Sequence, residues 1–397
     1  MKKTFIFLFF LFTNFTFSQN YVHQVLILNE GYFDYSLNQS VVPPTLGSYD
    51  PLTQIYTTID TLNGKRFASD IIVNDNHVFV AADNTLYKYD KFNMSIYDTI
   101  NIDGIRNIAI WNDKIIVTRG DYDNTTFAPI LFNSYLQVFN LSDLSFYTEF
   151  DTINGPKWST QNMIVTNNKL YVAINNAYEW GNYKGLVGVI DMSNMSYINE
   201  IDLGPDGKNP DNLMFDGSNI YSVNNKDFSG ASISNINLSS STSTTTNISS
   251  VSTGCGTSAL RDDKLLYQIS MDTDLFEWDT QSNDSSGISL GYSTNFYDLS
   301  YDQINNLLYT SETDFFSFGT IHIYNNNNNL INSFSCGISP GNIVFDIRTM
   351  PSYIEENIFV NDKSYIYDIF GRKLQSLNNQ PSGIYYKNGK KIFINNK

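Results

Sequence analysis

The chain has 397 residues, with 40 Asp and Glu against 24 Lys and Arg and a formal net charge of −16. So acidic a body excludes nucleic acid and anionic membrane surfaces as partners, because both are held by basic patches. Two cysteines exclude a disulfide framework.

At the N-terminal end, Lys2 and Lys3 precede an apolar run from Phe5 to Phe12, and small Thr16 and Ser18 stand where a signal peptidase cuts. Residues 1–18 therefore read as a secretory signal, too short for a membrane span. No Cys stands at the cut, so no lipid anchor is expected. No later stretch approaches the ~20 apolar residues of a transmembrane helix. The mature protein is expected to be exported and soluble.

Seven times thereafter an apolar run ends in a bulky residue followed by Asp or Asn. The pairs are Tyr49-Asp50, Tyr89-Asp90, Phe139-Asn140, Ile190-Asp191, Ile236-Asn237, Trp278-Asp279 and Tyr324-Asn325, at intervals of 40, 50, 51, 46, 42 and 46 residues. Asp or Asn opens a turn well because its side chain accepts backbone amides two residues on. A β-rich repeat of this length marks a propeller blade of four strands. The second repeat parses as Ile71 to Val73, His77 to Ala81, Thr85 to Tyr89 and Ser95 to Ile100. Further second strands are expected at Lys114 to Thr118, Leu170 to Ile174, Ile220 to Val223, Leu265 to Ile269 and Leu307 to Thr310.

In the first repeat, Val25 to Leu28 reads as a second strand with no room before it for an innermost one. Gly341 to Ile347 reads as an innermost strand with no blade of its own. Placing it beside Val25 to Leu28 closes the ring and hides the edges. The expectation is an all-β fold: a seven-bladed β-propeller over 22–350, closed by a C-terminal innermost strand. Cys255 and Cys336 would precede innermost strands of blades that are not neighbours. Cα atoms more than ~7 Å apart cannot be bridged, so both are expected to stay unpaired.

Loops joining second to third strands, and those entering each innermost strand, fall on one face. They are rich in aromatic residues: Asn29 to Asp34, Arg119 to Asn124, Asn175 to Tyr183, Asn224 to Phe228 and Asp314 to Phe318, with Lys65-Arg66-Phe67, Pro156-Lys157-Trp158 and Asn209-Pro210-Asp211. The candidate ligand-binding residues are Tyr32, Phe33, Arg119, Tyr122, Tyr178, Trp180, Tyr183, Phe228, Phe315 and Phe316. Asn175, Asn176, Asn224 and Asn225 are candidates for hydrogen bonds to a ligand's rim. Rings on a rigid scaffold either form a binding surface or pack under their own loops. The opposite face, with short turns of Asn, Ser, Asp and Met, reads as inert.

Catalytic patterns are scarce. His23, His77 and His322 lie far apart, on or beside strands, and read as satisfied strand residues. No nucleophile elbow, zinc-helix motif or phosphate-cradling glycine loop occurs. Asp121-Tyr122-Asp123-Asn124 and Asp272-Thr273-Asp274 are too short to specify calcium. No enzyme activity, cofactor or metal is expected, and the propeller is expected to be a monomer.

Residues 354–397 read as a separate small β domain. Tyr367-Asp368-Ile369-Phe370-Gly371-Arg372, then Ser382-Gly383-Ile384-Tyr385 and a basic strand Lys390 to Ile394, resemble the C-terminal sorting domain of the type IX secretion system of Bacteroidota. The resemblance implies that machinery as a partner, and delivery to the cell surface or the medium. Val25-Leu26-Ile27-Leu28-Asn29-Glu30-Gly31 with Gly47-Ser48-Tyr49-Asp50-Pro51, and Cys336-Gly337-Ile338-Ser339-Pro340-Gly341-Asn342, resemble the YncE-like surface propellers of Bacteroidota (the DUF5074 group). That group includes BtuG-like proteins that bind cobalamin beside a TonB-dependent transporter. Those are lipoproteins, whereas this chain carries a sorting tail. The resemblance implies capture of a corrinoid, with a TonB-dependent outer-membrane transporter as partner. An adhesion or glycan-binding propeller, or a propeller lyase or hydrolase, are the other readings of the same fold.

Overall fold

The computed structural model describes residues 19–249, 253–269, 273–289, 294–349, 365–369, 371–378, 380–387 and 390–394. The signal read at 1–18 lies outside them, as do the side chain of Cys255 and residue Asp272. The chain divides into two compact units, one of Gln19–Thr349 and one that includes Met350–Lys397.

The larger unit is built from four-stranded antiparallel sheets laid out one after another along the chain. The first described sheet made from consecutive strands is Ala68–Val73, His77–Ala82, Thr85–Asp90 and Ile96–Asn101. The same order recurs from Ile105–Trp111, Thr160–Thr166, Pro210–Phe215, Thr253–Arg261 and Phe296–Asp302, each the first strand of its own sheet. One sheet breaks sequence order: Pro340–Thr349 pairs antiparallel with Asn20–Asn29, with Ile343 opposite Ile27 and Phe345 opposite Val25. Thr45–Asp50 and Ile55–Thr61 complete it. The strand at 341–347 thus lies where its sequence placed it.

The Asp and Asn turns form for the reason the repeat implies. Asp50 accepts the amides of Leu52 and Thr53 at 2.8 and 3.3 Å. Asp90 accepts Phe92 and Asn93, Asp279 accepts Gln281 and Ser282, and Asn237 accepts Ser239 and Ser240. The bulky residue before each turn packs toward the neighbouring sheet: Tyr49 stacks on Phe334 of the last sheet at 4.1 Å. The methionines of this face are not idle. Met192 is fully buried, and Met94 packs against the core between the first two sheets.

The core lies between sheets. Leu26, Leu28 and Leu46 meet Ile71, Val78 and Val80. On the other flank of the same strand, Val25 and Ile27 meet Tyr309, Ile321 and Ile323 of the last sheet. Cys336 is buried there as a free thiol whose pKa burial pushes up to about 12. An alternating strand buried on both faces suits this stack, because period-two side chains supply both flanks.

The C-terminal unit contains its own four-stranded antiparallel sheet of Ile366–Asp368, Lys373–Leu374, Gly383–Lys387 and Lys390–Ile394. The Asp-x-x-Gly-Arg run is a tight turn: Asp368 accepts the Arg372 amide at 2.9 Å, and Gly371 supplies the positive φ of 75°.

Candidate functional site

The first strand of each sheet carries a β-bulge at one height, between Ala68 and Asp70, Ile105 and Ile108, Thr160 and Met163, Pro210 and Leu213, and Phe296 and Leu299. A bulge adds one residue and re-aims the side chains beside it. Here it creates polar pairs: Ser69-Asp70, Arg106-Asn107, Gln161-Asn162, Asp211-Asn212, Tyr297-Asp298 and Gly341-Asn342. All but Asp70 line a funnel of about 420 Å³.

In five of these pairs the second member ties one sheet to the next, while Asn107 turns back to Asp70. Asp70 accepts the Ile108 amide at 2.7 Å, Asn162 accepts the Leu213 amide at 3.2 Å, and Asn212 donates to the Ser258 carbonyl at 3.0 Å. Asn342 donates to the Ser69 carbonyl, and Asp298 accepts the Ile343 amide. Burial pushes the carboxyls of Asp70 and Asp298 up to about 7 against these hydrogen bonds. These clamps escaped the reading of the chain, although an Asp or Asn before an apolar residue, recurring in six of these strands, was the signal for them.

The first members face the funnel. Arg106 donates to the Thr160 carbonyl at 3.1 Å and lies over the Tyr178 ring at 4.7 Å. Gln161 donates to Asp211 at 2.8 Å. Glu30 enters from the first sheet's long loop, accepts the Tyr297 hydroxyl at 2.9 Å, and is pushed by burial up to about 7. Gly341 makes this possible, since a Cβ there would fall 2.2 Å from Glu30 Oε1.

Around the funnel the aromatic loops meet one another. The first loop forms a hairpin of Tyr32–Asp34 with Gln39–Val42. Tyr32 touches Phe316 edge-on at 5.3 Å, and Phe315 touches Tyr297 at 5.1 Å. Phe33 packs on Tyr35, whose hydroxyl bonds that of Tyr122. Tyr122 continues the chain to Tyr178 at 5.4 Å. A third group stacks Trp180 on Phe228 at 5.4 Å and 17°, with Tyr183 edge-on to both. Trp180 is 82% exposed, whereas Tyr183 is buried beneath it.

Nine of the ten candidates therefore touch another aromatic side chain, Phe315 through Tyr297 and the other eight through one another or Tyr35. Arg119 does not join them. It is buried, donates to the carbonyls of Asp103 and Ser134 at 2.8 and 2.9 Å, and is covered by Phe132 at 4.1 Å. A loop arginine reads as solvent-facing, but its flat guanidinium satisfies strand-end carbonyls while the ring shields it.

The four asparagines expected at a ligand rim are all buried. Asn224 donates to Ser232 and Ser234, and Asn176 to Glu179 and the Asn182 carbonyl. Asn175 and Asn225 line the funnel instead. Among the described residues no cluster of three metal-ligating side chains occurs. Asp121 is engaged by Arg66 and Asp123 caps its own turn. His322 pairs with Glu312 at 2.9 Å.

No family model matches the chain, and no curated protein does. Solved structures do. A hypothetical selenium-binding protein from Sulfolobus tokodaii superposes with a TM-score of 0.58 at 9% identity, covering 83% of this chain and 94% of that one. A functionally unknown protein from Desulfotomaculum acetoxidans gives 0.57 at 13%, covering 81% and 98%. A candidate 6-phosphogluconolactonase from Bacteroides fragilis gives 0.55 at 12%, covering 81% and 98%. At such identities the likeness establishes fold alone: an all-β, propeller-like architecture.

Proposed function

We propose that the chain is an exported, surface or extracellular ligand-binding protein, a seven-bladed propeller whose aromatic face takes the ligand. Three contacts support a closed ring: Pro340–Thr349 pairs within the first sheet and lies beside Ala68–Val73 on one side and Phe296–Asp302 on the other. The sorting tail directs it outward, in keeping with a sheet whose strands and turn coincide with the Asp-x-x-Gly-Arg, Ser-Gly-x-Tyr and basic segments.

The observation that carries binding is the exposure of rings gathered on one face. Phe127, Phe228 and Phe315 all have positive φ, at 56°, 61° and 68°, and all remain 48–60% exposed. Short turns fix the first two, with the Phe127 amide on the Asp123 carbonyl and the Phe228 amide on the Asn225 carbonyl, so the rings are presented on the loops rather than tucked beneath them. Loop packing alone would bury those rings. Binding rather than catalysis is favoured because the carboxyls of Asp70 and Asp298, the most perturbed in the inner strands, are spent on backbone amides.

A corrinoid is the first ligand to test, on the resemblance of the chain's opening and closing segments to the YncE-like group. A corrin ring is broad and apolar on its faces, and Trp180 over Phe228 offers a matching platform. Calorimetry of the propeller with cyanocobalamin, with an oligosaccharide panel alongside, tests this. Corrinoid binding that weakens at least tenfold in Trp180→Ala supports it; a glycan that binds where no corrinoid does moves the adhesion reading into its place.

A further inference from the structure

A second cleft, of about 520 Å³, opens between the first, second and last sheets, apart from the Trp180 platform. Its walls are rings: Tyr32 against Phe316, Phe315, and Phe67. Glu30 stands in it and also borders the funnel, so one carboxyl serves both spaces. The cleft's single guanidinium, Arg66, is already committed. It bonds Asp83 at 2.7 Å, Asp121 at 2.9 Å and Asn124 at 2.6 Å. With Glu30 and Asp34 also present, one cation faces four carboxylates.

We propose that this cleft binds an organic cation, an alkylated ammonium group, by ring faces and the Glu30 carboxylate. The proposal rests on reading this face as a binding face. Aromatic faces carry negative quadrupole density, which attracts a cation whose alkyl shell needs no hydrogen bonds. A small, strongly hydrated ammonium gains less there, because it would forfeit its water. An anion meets uncompensated carboxylates and is excluded. Glu30 is fixed at the border of the cleft by two groups of the adjoining funnel, the Tyr297 hydroxyl, which it accepts, and Gly341, which leaves it room.

Occupancy is coupled to pH. The groups around Glu30 are Tyr297, which donates to it, Asp298, whose charge acts with it, and the already paired Arg66 and turn-capping Asp34. Burial holds the Glu30 proton on up to about 7, so the anionic form that a cation prefers appears above that pH.

The test is calorimetry on the full chain with choline and with its neutral isostere 3,3-dimethyl-1-butanol, at pH 8 and pH 5.5. Choline is expected to bind at least tenfold tighter than the isostere at pH 8, and to lose most of that preference at pH 5.5. Glu30→Gln should remove the preference. Phe316→Ala, at a ring 66% exposed and thus safe for folding, should weaken choline at least threefold, while Trp180→Ala should leave it unchanged. Equal binding of the two probes, absence of choline binding at millimolar concentration, or a preference that survives Glu30→Gln overturns the proposal. If choline fails while a corrinoid binds through Trp180, only this inference falls; if neither binds, the binding-face reading falls with it.

Discussion

Aspartates occupy two sets of positions in this fold, and the two sets behave oppositely. At the exposed turns, Asp50 and Asp314 accept the Thr53 and Ser317 hydroxyls together with nearby amides, and Asp123 accepts the Thr126 amide and hydroxyl, which draws their carboxyl pKa values down, Asp314 to about 2. At the inner strands, Asp70 and Asp298 accept amides as well, yet burial outweighs the hydrogen bonds and lifts both to about 7. The same side chain doing the same job thus favours opposite protonation states. What differs is the desolvation that accompanies bonding to a neighbouring sheet rather than to one's own turn.

The harshest way to break the comparison is to remove an inner strand outright. Truncation after Ser339 takes away Pro340–Thr349 with Asn342 and Ile343, exposes the edge of Asn20–Asn29, and opens the cores on both flanks. A cooperative thermal transition should vanish for the whole larger unit. A truncated chain that still melts as one unit would show that the first sheet stands on three strands.

Point changes sharpen it. Asp70→Ala leaves the buried amides of Ile71 and Ile108 without their acceptor, and each such orphan costs about 1–3 kcal/mol. Asp50→Ala frees amides that water reaches, at a cost of about 1 kcal/mol. Urea titration of the two variants should therefore differ by at least a factor of two in lost stability. Equal losses would mean that the inner aspartates are no more than turn formers.

Acidity separates the sets again. For Glu30, Asp70 and Asp298 the folded pKa exceeds the unfolded one, so their contribution is full below about 4 and is lost as pH rises through about 7. For the turn aspartates the folded pKa is depressed, so their contribution is present above about 4 and is lost as pH falls toward 2. The melting temperature should peak on the acid side, between about pH 4 and pH 6. Asp70→Asn and Glu30→Gln should flatten the decline toward pH 8, and a maximum above pH 7 would contradict the burial of these carboxyls.

How much of this was legible in the chain follows the same division. The outer turns announce themselves, because an Asx turn is local and needs only the four residues that form it. The pairing of Pro340–Thr349 with Asn20–Asn29 was legible too, since the repeat pattern left one strand near each end without a partner. The inner clamps were not, because Asp70 acts on Ile108, and only the bulge brings their sheets into register. Arg119 misled for the same reason: its partners, Asp103, Phe132 and Ser134, come from both sides of its strand. The asparagines of the loops likewise spend their amides on backbone and side chains that loop composition does not reveal. The rings fared best. An aromatic side chain in a loop has few polar partners to seek, so nine of ten met on the face expected of them.

The smallest effect on stability should come from Trp180. It is 82% exposed and contributes one stacking contact with Phe228 and one edge contact with Tyr183. An aromatic pair adds about 0.5–1.5 kcal/mol beyond its buried area, and so little of the indole is covered that the loss in Trp180→Ala should sit at the low end. Tyr183→Ala removes a buried ring from under the same loop and should cost more, about 3–5 kcal/mol if it behaves as a core aromatic. Melting temperatures of the two variants, read beside their ligand affinities, separate support from contact. Trp180→Ala should keep its melting point and lose affinity, whereas Tyr183→Ala should lose both. If Trp180→Ala destabilises as much as Tyr183→Ala, the indole is a lid over its own loop, and the exposed rings of this face have to be read as packing.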